Sequence, residues 1–252
     1  MPGKIGRFLE KVSQALPLIL DPQARMAMLR WPVFSKTSFC MVSTLCKGGI
    51  RPRTVIDVGA NVGQFTVAAA NIFKCAEIYA FEPIPRCAEK LRSHTSGLSN
   101  VHIVNKAVGD RNAKADFYLN AYDQASSLLQ LNQEKSNPSG IPKESRVLRV
   151  DVTTLDAYLS DKVLQRPALL KIDVQGAERL VVEYGRKSLK EIDYVVMEVS
   201  FESMYEDAPL FMEMVGIMKE LDFTFLKPVG FIKGLDGMQI IQADILFKNN
   251  AS

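Results

Sequence analysis

The stretch from Thr54 to Gly63, Thr-Val-Ile-Asp-Val-Gly-Ala-Asn-Val-Gly, constrains the fold more than any other part of the chain. Its first half is a short apolar, β-branched run, the pattern of a strand buried on both faces. Its second half is a turn built on Gly59, Asn61 and Gly63. Gln64 to Phe73 follows with Ala-rich helical character. Strand, glycine turn and helix in this order form the ligand-facing edge of a doubly wound α/β sheet, with Asp57 near the carboxyl end of the strand. Asn tolerates positive φ better than other residues with a Cβ, so Asn61 suits such a turn.

The turn does not fit the Gly-x-Gly-x-x-Gly dinucleotide fingerprint. It reads better as the Asp-x-Gly-x-Gly-x-Gly turn of methyltransferases that use S-adenosylmethionine, with Asn61 in place of the middle glycine. A tight βα turn with no ligand satisfies the same residues.

The remaining chain repeats the alternation. Glu77 to Glu82 is a second strand, Pro85 to His94 a helix, and Asn100 to Val108 a third strand ended by Gly109-Asp110. Ala168 to Asp173 is the fourth core strand, and a helix opened by Gly176-Ala177-Glu178 is expected to run to about Leu189. Tyr194 to Val199 is the fifth strand and Pro209 to Leu221 a helix. Phe223 to Leu226 and Asp244 to Phe247 complete the sheet. Alternation of this length implies a mostly parallel sheet. Residues 115–152 break the rhythm and are expected to form an insertion of antiparallel strands over the sheet edge, with a polar surface loop from Asn132 to Glu144.

Residues 1–50 precede this pattern. Phe8, Leu9, Val12 and Leu16 recur at helical spacing beside Lys4, Arg7 and Lys11. Such a basic amphipathic helix can lie on a membrane surface. Gly6 and Glu10 weaken that pattern, and packing on the catalytic domain is the expected role. Asp21-Pro22 predicts a capped helix through Arg30. The expected organisation is a helical extension over 1–50 and one α/β domain over 51–252.

The 252 residues are 47% hydrophobic, enough for one large core. A net charge of +3 is too balanced for nucleic-acid binding by bulk field. Cys40, Cys46, Cys75 and Cys87 lack zinc-site spacing, and although the strand-end acids Glu82, Asp173 and Glu198 could hold a divalent metal, nothing in their spacing demands one, so none is expected; sparse thiols point to the cytoplasm. No apolar run reaches the ~18–20 residues of a membrane span, and no secretory leader is expected.

Three acids end strands. Glu82 lies 19 positions after Gly63, where an acid accepts hydrogen bonds from ribose hydroxyls in nucleotide-binding folds. Asp173 points into the same cleft and suits an amino group or a general-base role. Helix capping is its bland alternative. Glu198 is a third carboxylate on that rim.

Val55 to Gly63, Phe81-Glu82-Pro83, Asn105 to Asp110, Ser126-Ser127-Leu128 and Leu170 to Glu178 together resemble the FkbM family of methyltransferases. The resemblance covers about residues 53–248, and Lys171 to Glu178 is its most specific part. It implies a class I methyltransferase: a Rossmann-like doubly wound sheet of seven core strands, the last antiparallel. It also implies S-adenosylmethionine as cofactor and methylation of a hydroxyl on a sugar, glycolipid or natural product. By position, Asp57, Gly59, Ala60, Asn61 and Gly63 would line the methionine and ribose side. Glu82, with Pro83, would take the ribose. Ala107 and, more weakly, Asp110 would lie near adenine. Ser126 and Ser127 would sit at the mouth, and Asp173 would meet the methionine amino group or the acceptor. Asp173 is the expected base, with Glu198 and His102 behind it. A nicotinamide-dependent oxidoreductase and a non-catalytic nucleotide-binding module are the competing readings.

Overall fold

The computed structural model describes residues 18–120, 125–130, 145–202, 204–234 and 238–251. The expected helix around Phe8–Leu16 and the Asn132–Glu144 loop lie outside them.

Helix α1 (Pro22–Arg30) starts as its sequence dictates. Asp21 accepts the backbone N–H groups of Gln23 and Ala24, with Pro22 in the first turn. Helix α2 (Lys36–Lys47) is capped by Ser35 in the same way. Then come β1 (Thr54–Val58), α3 (Gln64–Ile72), β2 (Glu77–Phe81), α4 (Pro85–His94), β3 (Val101–Val104) and β4 (Ala107–Val108). They are followed by β5 (Ala113–Asn120), β6 (Ser145–Thr153), α5 (Leu155–Leu159), β7 (Ala168–Ile172), α6 (Glu178–Glu183) and α7 (Arg186–Leu189). The chain closes with β8 (Tyr194–Ser200), α8 (Phe211–Glu220), β9 (Phe223–Lys233) and β10 (Ile240–Asn249).

Seven strands form one sheet in the order β3-β2-β1-β7-β8-β10-β9. β3, β2, β1, β7 and β8 pair in parallel, while β10 runs antiparallel to both neighbours. This is the class I methyltransferase arrangement expected from the sequence. Apolar side chains alternate to both faces. Val55, Ile78, Leu169, Val196 and Leu246 pack under α2 and α3. Ile56, Leu170, Ile172, Met197 and Phe247 pack against α5 to α8. Burying the central strands on both faces is what makes them read as continuous apolar runs.

Two expectations are corrected. The third strand is not continuous to Val108. After Val104 the chain leaves the main sheet, and Ala107-Val108 pairs instead with β6 in a three-stranded sheet β4-β6-β5. The helix after Glu178 does not run to Leu189 unbroken. It stops at Glu183 and restarts at Arg186, around Gly185, where a Cβ would meet the Val181 carbonyl at 2.6 Å.

Candidate active site

A cavity of about 450 Å³ opens at the carboxyl ends of β1, β2, β7 and β8. One wall is the β1–α3 turn, where Gly59, Asn61 and Gly63 have φ of 89°, 50° and 98°. That left-handed run turns the backbone and lets Gly59 N–H and Ala60 N–H bond to the Phe81 carbonyl at the end of β2. Glu82, the next residue, folds back onto the turn. Its two oxygens accept the N–H groups of Asn61 and Ile84, both at 2.8 Å. The glycine turn and the acid 19 positions on are thereby one hydrogen-bonded unit. Ile84, Ala107, Val108 and Phe117 form an apolar slot beside it, and Pro83 and Ser126 also line the cavity.

The second wall follows from strand alternation. Lys171 and Asp173 face the same side of the sheet as Asp57, because residues two apart share a face. Lys171 is buried and its ammonium lies 2.8 Å from Asp173 Oδ2 and 3.9 Å from Asp57 Oδ1. Burial works against that charge, but the Asp173, Asp57 and Asp244 carboxylates outweigh it and hold the lysine protonated. Asp57 itself sits beneath the cavity, its Oδ2 accepting the Thr66 hydroxyl at 2.6 Å. Its burial raises its pKa against the pull of Lys171 and Thr66. Gln175 donates to Asp173 Oδ1 at 2.8 Å and to Glu198 Oε2 at 2.7 Å. Its own carbonyl accepts the buried Tyr205 hydroxyl at 3.1 Å.

Glu198 on β8 stands directly opposite Asp244 on β10. Both are buried and both line the cavity. Burial, then the neighbouring Asp173 and Asp244, drives the Glu198 carboxyl well above the ordinary range. Asp244 is pushed up to about 6 by burial and by Asp173, with Lys171 opposing. Gln242, two residues earlier, donates to Glu198 at 2.8 Å.

Three named residues lie elsewhere. His102 is not at the cavity: its ring stacks on Tyr79 at 5.1 Å and bonds Glu77 at 2.8 Å on a solvent-facing part of β3. As a base candidate it is withdrawn. Asp110 pairs with Arg111 at 2.6 Å, outside the lining. Gly63 supports the turn against Leu91 and does not line the cavity. Ser127 is buried, donating to the Val174 carbonyl at 3.1 Å and so tying residues 125–130 to the segment after β7. Among the described residues, no group of three or more His, Cys, Asp or Glu side chains is placed to hold a metal ion.

Asp244 and Gln242 were not singled out in the sequence. The signal was present in the antiparallel last strand, whose first half must lie at the carboxyl edge of its parallel neighbours. Ser35, Thr37 and Ser38, at the start of α2, also reach the cavity.

The strand order, the glycine turn and its bonded acid define a class I methyltransferase site. The chain belongs to the FkbM methyltransferase family: the Methyltransferase FkbM domain matches residues 57–225. It is an S-adenosylmethionine-dependent methyltransferase. It is similar along its length to the 2-O-methyltransferase NoeI of Sinorhizobium fredii (strain NBRC 101917 / NGR234), 24% identical over 257 residues and covering 98% of each chain. Methyltransferase 1 of Beauveria bassiana (strain ARSEF 2860) is 28% identical over 160 residues, 58% of this chain and 64% of that one. Among solved structures, a Methanococcus jannaschii fibrillarin matches with a TM-score of 0.47 and 12% identity, over 80% of this chain and 68% of that chain.

The lining fits this cofactor. Glu82 offers a carboxylate to vicinal hydroxyls, the Ile84–Ala107–Phe117 slot is apolar, and Asp173 supplies negative charge at the far end. At Gly59 the turn admits no side chain, since a Cβ there would meet the Asp173 backbone.

Proposed function

We propose that this protein methylates a hydroxyl oxygen of a small acceptor, a sugar, glycolipid or natural product. The full-length likeness to a 2-O-methyltransferase supports oxygen as the target. The observation that carries the reading is Asp244, a carboxylate that accepts no hydrogen bond from the described residues, on the β10 side of the cavity away from Glu82.

When bound, S-adenosylmethionine supplies an electrophilic methyl group. The residues of the chain do the remaining work. Glu82 holds the ribose hydroxyls, backed by the turn of Gly59, Ala60 and Asn61. Asp173, fixed by Lys171 and Gln175, faces the amino-acid end. Both Asp173 oxygens are already engaged, accepting hydrogen bonds from Lys171 and Gln175. Asp244 accepts no hydrogen bond from the described residues and is the better base. Burial and Asp173 raise Asp244 while Lys171 opposes them, so it titrates at about 6, in the range of a working base. Aligning acceptor and donor accounts for roughly 7–11 kcal/mol of the barrier, and proton removal for about 10²–10⁴-fold.

The helices before β1 and the β4-β6-β5 sheet, which frame the mouth, select the acceptor. The cytoplasm is the proposed location, supported by four free thiols.

The test is incubation with methyl-labelled S-adenosylmethionine and a panel of sugar, lipid and polyketide hydroxyl acceptors. Label appearing as an ether on one acceptor class is the expected result. Transfer to nitrogen or carbon alone would overturn the oxygen assignment.

A further inference from the structure

Helix α1 is built inside out. The two residues it buries are alanines, Ala24 and Ala27, against Phe39 and the aromatic cluster of Trp31 and Phe34. Its large apolar side chains are exposed: Met28 is 51% exposed, and Met26 and Leu29 are 43% and 83% exposed. At 100° per residue Met26 and Leu29 lie opposite the alanine pair. Ile19 and Leu20, just before the helix, are 51% and 66% exposed. Several exposed apolar side chains gathered on one short segment point to an interaction surface.

The same region concentrates positive charge. Residues 1–36 hold Lys4, Arg7, Lys11, Arg25, Arg30 and Lys36 against Glu10 and Asp21, a net charge of +4. The whole chain carries +3, so residues 37–252 carry −1. Arg25 and Arg30 flank Met26 and Leu29 on α1, and neither has an ion-pair partner among the described residues. Among the described residues, the Arg25 side chain donates to the Ile19 carbonyl at 3.0 Å.

This surface also adjoins the active site. Five residues, 31–35, join α1 to the cavity wall at Ser35, a reach of at most about 18 Å. Phe231 and Ile232, on the cavity lining, are 55% and 41% exposed.

We propose that α1 and the segment before it dock the enzyme on an anionic phospholipid surface, with Met26, Leu29, Ile19 and Leu20 inserted between headgroups and Arg25 and Arg30 paired to phosphates. Apolar side chains ringed by arginines, with no acid inside α1, match the interfacial helices that bind such surfaces. The arginine stems cover apolar surface while their heads stay in the headgroup layer. Docking places the cavity mouth close to the headgroups and does not depend on which acceptor is methylated.

The test is flotation of the full chain with vesicles of phosphatidylcholine containing phosphatidylglycerol, and with phosphatidylcholine alone. Co-flotation with the anionic vesicles at low salt, and its loss as salt shortens electrostatic reach, is expected. Arg25→Gln with Arg30→Gln should weaken partitioning by about 25-fold, which is about 1 kcal/mol per basic residue. Met26→Ser with Leu29→Ser should weaken it by roughly tenfold or more. Circular dichroism must show both variants folded. A wild-type chain that stays out of the anionic vesicles overturns the proposal. So does unchanged flotation of both variants, including the case where the Met26/Leu29 pair proves to join two copies of the chain by sedimentation.

Discussion

The carbonyl oxygen of Asp173 occupies the space in which a side chain on Gly59 would begin: a Cβ built on Gly59 falls 1.8 Å from it. This contact joins the first and fourth core strands at the floor of the cavity, where the Asp173 N–H also bonds the Val58 carbonyl at 3.0 Å. The β1–α3 turn and the end of β7 are locked backbone to backbone. Gly59 is also at φ 89°, which disfavours any other residue. Gly59→Ala should therefore destabilise the protein by at least about 4 kcal/mol, at the exceptional end for one substitution. Thermal unfolding should show a fall of the order of 10 °C or more, or no folded protein. A variant melting within a degree or two of wild type would contradict the contact.

Asp244 has its own space requirement. It lies opposite Gly230 on β9, and a Cβ there would come within 2.4 Å of Asp244 Oδ2. The clashing atom is the end of a side chain, so Gly230→Ala should move the carboxylate without unfolding the protein. With the acceptor identified, kcat should drop while the melting temperature changes little. Asp244→Asn should cost about 10²–10⁴-fold in kcat with smaller change in KM. In wild type, kcat should rise with pH through about 6, where Asp244, raised by burial and by Asp173 with Lys171 opposing, loses its proton. Loss of that acidic limb in Asp244→Asn supports the base assignment. An unaltered profile would remove it.

Stability should fall as pH rises. Glu178 is buried, accepts the N–H groups of Val174 and Gly176 at 3.2 Å, and is pushed from 4.5 to about 7 by burial, with Asp173 adding to the rise. A folded-state carboxyl that titrates above its unfolded value binds its proton more tightly in the native chain. Its contribution is present below pH ~4.5 and lost between there and about 7. A rise of that size corresponds to about 3 kcal/mol. Glu198 and Asp244 act in the same direction. The melting temperature of the ligand-free protein should decline from pH 5 to pH 7, and Glu178→Gln should flatten the decline. A melting temperature that climbs over this range would contradict the burial argument.

Much of the fold was legible because its central strands are apolar runs ended by acids and glycines, each a local signal. Glu82 was readable from its distance to Gly63, and Asp173 and Glu198 from their positions at strand ends. His102 misled because a histidine in a strand says nothing about which face it takes. Its ring stacks on Tyr79 and bonds Glu77, both outside the cavity lining. The break after Val104 was hidden because Asn100 to Val108 has one continuous β pattern. Only the pairing of Ala107-Val108 with β6, a partner more than forty residues away, divides it. Asp244 was missed for a similar reason: it becomes a site residue through the antiparallel register of β10 with β8, which is a property of the sheet.

The central claim is that the Glu82 end of the cavity binds the adenosyl part of S-adenosylmethionine. The direct measurement is calorimetric titration of S-adenosylmethionine and S-adenosylhomocysteine into wild type and Glu82→Gln. Both ligands should bind wild type at one site per chain. Affinity should fall about 10–100-fold in the variant, as expected for a lost charged acceptor, while its melting temperature stays close to wild type. Equal affinity in the two proteins, or no binding to wild type, would contradict the account.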